Sequence, residues 1–170
     1  MKLTLTARRP PNSDARIVFV QNKKPLISGD TDLEKLIGSQ IKKTGFSGDY
    51  AQTLVFQNGT GDVILAGLGG SKHFRMEYLE RAASAAVRAG QKAGLKHFVT
   101  AVAGISKVSD TAFVRAVARG AVWGTYRFDT FKTGGKKAKG EVSLTFAGPC
   151  ENPAACRKAL AEAELESQAL

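Results

Sequence analysis

The sequence predicts an α/β fold whose mixed β-sheet carries helices on both faces, and three observations support this. The stretch from Asp62 to Val102 reads as a strand, a glycine turn, a helix and a second strand. Its first piece, D-V-I-L-A-G-L-G-G, is an apolar run without polar alternation, the pattern of a strand covered on both sides by other elements. Arg16 to Gln21, with Ile17, Val18, Phe19 and Val20, has the same character and is expected to be central in the sheet. Finally, Asn58 to Gly61, N-G-T-G, is a tight-turn composition joining the strand Thr53 to Gln57 to the strand at Asp62, so these two should pair antiparallel. A strand–helix–strand crossover beside such a hairpin makes the sheet mixed.

The elements follow in order. Lys2 to Ala7 alternates, with Leu3 and Leu5 on one side and threonines on the other, as a strand with one wet face does. Arg8 to Ser13 breaks it, and Lys23 to Gly29, containing Pro25, is a connector. Thr31 and Glu34 have the spacing of a capping box, and Leu33, Leu36, Ile37 and Ile41 form a helical stripe that Gly45 can close. Phe46 to Tyr50, F-S-G-D-Y, returns the chain by a turn. From Arg75 to Ala93 the small or apolar residues Met76, Leu79, Ala83, Ala86, Gly90 and Ala93 step by three and four along one side of a helix. Gly94 supplies the positive φ that ends it, and His97 to Val102 is again rich in β-formers.

Ser109 or Asp110 can cap the next helix, on which Phe113, Val117, Gly120 and Gly124 share a side. Interior glycines each cost about 1 kcal/mol against alanine, so a close approach of another element is expected there. The helix is expected to continue into W-G-T-Y-R-F-D-T-F-K, Trp123 to Lys132. These aromatic rings either cap the core or form a docking face, since tyrosine and tryptophan are also the residues that interfaces favour. Thr133 to Lys139 reads as a glycine and lysine loop, and Glu141 to Phe146 as the last strand. Asn152 and Pro153 then start a helix with a thin stripe through Cys156, Leu160 and Ala163. No terminator precedes Leu170, as expected of a helix that leads into a further domain.

At 170 residues with 43% hydrophobic content, the chain is expected to form one domain with a real core. The start M-K-L-T-L-T-A-R-R-P-P lacks a secretory signal and no apolar run is long enough for a membrane span, so a cytoplasmic protein with no membrane partner is expected. Cys150 and Cys156 are read as free thiols of a reducing compartment, because a structural zinc would need four clustered ligands. The formal charge of +10 admits an acidic partner. Its basic residues are spread among Arg8–Arg9, Lys23–Lys24, Lys42–Lys43 and Lys136, Lys137 and Lys139, without the aromatic interleaving of a single-strand binder. Solvated faces and loops account for them.

Chemistry-bearing constellations are sparse. G-L-G-G-S-K supplies two glycines of a dinucleotide fingerprint, but Lys72 stands where the third belongs and no P-loop ending follows; tight turning and close packing explain it. A two-metal site needs several converging carboxylates, and the acids here are scattered singly. His73 begins a helix and His97 a strand, as surface or edge residues, and Ser71 has no G-x-S-x-G context. No catalytic, cofactor-binding or metal-ligating residue is therefore assigned.

Three stretches carry a family likeness: V-I-L-A-G-L-G-G with the Ala-rich helix after it, F-S-G-D-Y before a strand, and above all A-V-A-R-G-A-V-W-G-T-Y-R-F-D-T-F-K. In these the chain resembles the N-terminal domain of the leucyl (cytosol) aminopeptidase family, from about Lys2 to Leu170. The resemblance implies a macro-domain-like three-layer α/β sandwich over residues 1–148, with 149–170 beginning the interdomain linker helix. It further implies a C-terminal catalytic domain, absent here, that holds two divalent metals, zinc or manganese, and releases N-terminal amino acids from peptides as a hydrolase within a hexamer. The family's N-T-D-A-E-G-R signature does not occur in this chain.

On this resemblance the chain is expected to be a noncatalytic accessory and assembly domain, with Trp123, Tyr126, Arg127, Phe128 and Phe131 as its interdomain or subunit interface. The alternative from another class is a basic module that binds nucleic acid or an ADP-ribose-like nucleotide, motivated by the charge and by analogy of fold.

Overall fold

A computed structural model describes residues 1–27, 29–126 and 140–169. In chain order they form β1 (Lys2–Thr6), β2 (Ala15–Gln21), β3 (Lys24–Pro25), α1 (Thr31–Thr44), β4 (Thr53–Gln57), β5 (Asp62–Gly69) and a 3-10 turn (Ser71–His73). Then come α2 (Met76–Lys92), β6 (His97–Ala101), α3 (Asp110–Thr125), β7 (Ser143–Ala147) and α4 (Pro153–Gln168). The strands form one sheet in the order β1-β7-β6-β2-β5-β4, with the short β3 paired to β2. Only β3 and β4 run antiparallel to their partners, so the sheet is mixed.

The crossover from β5 through α2 to β6 is present, with β2 inserted between its two strands. That central place suits β2, which points Ile17 and Phe19 to one face and Val18 and Val20 to the other, all buried. On the first face these residues join Ile64, Leu68, Phe98, Leu144 and Phe146 in a core closed by α2, α3 and α4. On the second face Val18, Val20, Val63 and Leu65 meet Leu33 and Ile37 of α1 and Phe46 of the following turn. The result is a three-layer α/β sandwich.

Local chemistry sets the helix ends. The first helix is capped one residue earlier than the capping-box spacing implies: Asp30, not Thr31, accepts from the Leu33 N–H at 3.1 Å. The carboxylate is held in place from the other side by Arg16, whose Nη1 lies 3.0 Å from it, and Thr31 becomes the first helical residue. Gly45 ends the helix at φ 70°, its N–H donating to the Ile41 carbonyl. Ser109 and Asn152 cap α3 and α4 as expected, accepting from Ala112 and Ala155. The third helix ends at Thr125, Tyr126 leaving it at φ −70°, ψ 122°, and the rest of the expected continuation, 127–132, lies outside the described residues. Thr125, whose hydroxyl donates back to the Val122 carbonyl at 2.7 Å, occupies its last position.

Cys150 and Cys156 are not free thiols; the structure joins them as a disulfide. The turn at Asn152 and Pro153 brings the first turn of α4 back over the residue that leaves the sheet, a proximity that two lone cysteines in a sequence do not reveal.

Two features hold the layers in register. A Cβ on Gly120 would overlap the Glu80 carbonyl oxygen, and one on Gly124 would lie 2.8 Å from the Ser84 carbonyl, so α3 touches the backbone of α2 at both interior glycines. At the edge of the sheet where β2 and β6 begin, one carboxylate oxygen of Asp14 accepts from the Lys96 and His97 N–H groups, each at 2.9 Å. The Asp14 N–H donates to the His97 carbonyl and its carbonyl accepts from Asp62, so one residue ties β2 to both neighbours. Burial pushes the Asp14 carboxyl up, but the two backbone donors and the His97 and Lys96 charges outweigh it and hold it below the ordinary 3.8.

Gly120→Ala is expected to lower stability by about 1–3 kcal/mol through overpacking. Gly38→Ala, in open space on α1, should raise it by about 0.5–1 kcal/mol, both read from urea midpoints. A depressed carboxyl stabilises the fold above its unfolded pKa and loses that contribution as pH falls through the folded one. Asp14→Asn should therefore destabilise at neutral pH, and the gap to wild type should close as the solution is acidified below the usual carboxylate range.

Candidate functional site

Of the sequence-predicted interface residues, Trp123 and Tyr126 are described, and they lie at the end of α3, which packs against α2 and α4. Arg115, Arg119 and Trp123 are spaced by four and therefore follow one another along the helix surface. Arg119 is bound on two sides, its Nε 3.1 Å from Glu166 of α4 and its Nη1 3.5 Å from Glu80 of α2. Its guanidinium carbon stands 5.6 Å from the centre of the Trp123 ring, within cation–π range. Arg115 extends the series, 3.7 Å from Glu162. Three helices are thus tied by one row of charges over an indole that remains 40% exposed.

Trp123 and Tyr126 do not cap the core: both are exposed, and among the described residues the other exposed large apolar side chains are Tyr50 and Leu165. Leu165, at 65% exposure, directly precedes Glu166 on α4. Tyr126 borders a shallow cavity of about 450 Å³ whose walls include Thr53, Arg88, Lys92 and Gly124. Arg127, Phe128 and Phe131 lie outside the described residues. Arg119 and Leu165 were absent from the expected interface. The four-residue spacing of Arg115, Arg119 and Trp123 was the available signal for the arginine, whereas nothing local marks Leu165, since its exposure follows from how α4 sits on the body.

The glycine turn serves packing. A Cβ at Gly67 would overlap the Asp49 carbonyl, Gly69 donates to the Gly48 carbonyl at 3.0 Å, and Gly69 itself has φ 73°. The F-S-G-D-Y turn therefore lies directly against the end of β5. Asn22 closes the other side, accepting from the Ser71 N–H at 2.9 Å and donating to its hydroxyl at 2.8 Å. His73 and His97 are exposed, His97 sharing a 3.0 Å hydrogen bond with Ser143. Among the described residues no group of three or more His, Cys, Asp or Glu is placed to hold a metal ion. No described helix is long and apolar enough to cross a membrane.

This fold, a mixed sheet sandwiched by helices, is macro-domain-like: the macrodomain of Thermus aquaticus DarG superposes with a TM-score of 0.54 at 12% identity, over 86% of this chain and 99% of that one. A tomato leucine aminopeptidase mutant superposes better, with a TM-score of 0.79 at 18% identity over 99% of this chain and 36% of that one. The bottromycin maturation enzyme BotP in complex with Mn gives 0.65 at 22% identity, over 92% of this chain and 30% of the enzyme.

In sequence, the description "Cytosol aminopeptidase family, N-terminal domain" matches residues 17–135, and the chain belongs to that family. The chloroplastic leucine aminopeptidases A2 and A1 of Solanum lycopersicum are each 30% identical to it over 150 residues, 86% of this chain. The chain spans 26% of the length of these curated relatives.

Trp123 is the single tryptophan, which makes the site spectroscopically visible. Replacing Arg119 by Gln should uncover the indole, shifting its emission to longer wavelength and raising its quenching by acrylamide. Global stability should fall by no more than about 1 kcal/mol, as for exposed ion pairs.

Proposed function

We propose that this chain is the noncatalytic N-terminal accessory domain of a metal-dependent leucyl aminopeptidase, with residues 1–148 as the domain and 149–170 as the start of a linker helix to the catalytic domain. The observation that carries the reading is the exposed Trp123 beneath Arg119, an arginine also bound to Glu166 of α4. An aromatic ring and an arginine preorganised over it are the residues from which interface hot spots are built. Trp123, Tyr126, Arg127, Phe128 and Phe131, joined by Arg119 and Leu165, are the surface assigned to the catalytic domain or a neighbouring subunit.

The fourth helix is suited to transmit a position. The residue before its N-cap is fixed where Asp110 accepts from the Glu151 N–H at 2.8 Å, and its later part where Glu164 accepts from Leu3 at 2.6 Å. The reading includes a partner domain with two divalent metals, zinc or manganese, release of N-terminal residues from peptides, and hexameric assembly. Its support is family membership together with relatives that are named leucine aminopeptidases and extend well beyond the matched length. A cytoplasmic location rests on the family's designation as cytosol aminopeptidases, the two tomato relatives being chloroplastic. A nucleic-acid or ADP-ribose-like role has less support, because the glycines that would approach a phosphate are approached by the chain's own residues 48–50.

The chain alone should release no p-nitroaniline from leucine p-nitroanilide in manganese buffer, and turnover above blank would overturn the noncatalytic assignment. In a longer protein that carries this chain ahead of the family's metallopeptidase domain, Trp123→Ala and Leu165→Asp should shift light-scattering mass toward smaller species with the fold intact. Unchanged assembly in both variants would remove these residues from the interface.

A further inference from the structure

A second cavity, of about 360 Å³, opens where β2 and β5 begin, between the start of α1 and the turn joining β4 to β5. Its charges are unequally satisfied. Arg16 and Asp30 neutralise each other at 3.0 Å. Arg9 is different: its Nε donates to the Ser13 hydroxyl at 3.1 Å, while among the described residues neither of its Nη groups has a carboxylate partner. Its Nη2 stands 3.7 Å from where a Cβ on Gly61 would be, so the guanidinium lies over the turn that lines the cavity. Asp32 and Asp62 also line it and enter no ion pair or side-chain hydrogen bond among the described residues. Its apolar side is Leu36, since Leu33 and Val63 behind it are buried in the core.

An uncommitted cation, uncommitted carboxylates and one aliphatic side chain in one small cavity restrict the occupant. A bare anion would meet Asp32 and Asp62, and a metal ion would need a ligand group that the described residues do not form. A molecule carrying both signs on neighbouring atoms satisfies both, because a guanidinium takes a carboxylate in two parallel hydrogen bonds and a carboxylate accepts from an ammonium. The volume is at the lower end of ligand cavities, suited to a single small metabolite.

We propose that this cavity binds a free α-amino acid with an aliphatic side chain, its carboxylate on Arg9, its ammonium on Asp32 and its side chain against Leu36. The site rests on the cavity alone, so its failure would leave the docking reading untouched, and the reverse.

Titration of the isotope-labelled 170-residue chain with L-leucine, followed by amide NMR, tests it. Saturable shifts are expected at Gly61 and Leu33. Leucinamide, which lacks the carboxylate, and N-acetyl-leucine, which lacks the ammonium, should each bind at least about tenfold more weakly, the loss of one charge-assisted contact. Arg9→Gln and Asp32→Asn should each weaken leucine by a similar factor while the rest of the spectrum stays in place, showing that the fold is retained. Absence of saturable shifts with leucine, or binding of either blocked analogue as tightly as leucine, would overturn the assignment.

Discussion

The backbone contact between α2 and α3 is the constraint from which the outer surface follows. With Gly120 seated on the Glu80 carbonyl and Gly124 on Ser84, α3 can neither rotate nor withdraw without opening a gap along two turns. The residue before Gly120 is then brought beside the Glu80 side chain, and Arg119 becomes the bridge between α2 and α4. Small residues thus do more than save space. They determine which charged side chain faces which, and hence where the indole of Trp123 comes to rest.

The sheet beneath has a similar economy of control. Its two central strands are apolar on both faces, so burial alone would allow several neighbours. Polar groups at their ends remove the ambiguity. The Asp14 carboxylate, accepting from successive N–H groups of the chain entering β6, admits one register for β2 against β6. Thr100 adds an internal marker, its hydroxyl donating to the Ile17 carbonyl from the otherwise apolar interior.

Legibility in the sequence tracked how local each cause was. Strands with unbroken apolar runs, the N-G-T-G hairpin and the glycine terminators at Gly45 and Gly94 are consequences of a few adjacent residues, and the structure has them where the pattern puts them. The close approach at Gly120 and Gly124 was also foreseeable, because an interior glycine without packing reason is a pure loss. The cap at Asp30 was displaced because its partner Arg16 lies on another strand, and the pairing of Cys150 with Cys156 depends on how α4 turns back. Of the proposed interface, Trp123 and Tyr126 were legible as aromatic residues at a helix end. Their exposure was not, since it depends on three helices meeting.

That exposure has a physical reading in the chain by itself. An indole left in water would favour burial against whatever is near, yet Trp123 is held outward with a guanidinium over its face. Arg119 stays there because two carboxylates from different helices fix its plane, so little conformational freedom remains to be lost when another surface covers the pair. A ring that served only the core of this chain would need no such fixture. Holding an arginine rigid over an exposed tryptophan reduces the entropy that association would cost, which is the physical ground for proposing that this face meets a partner.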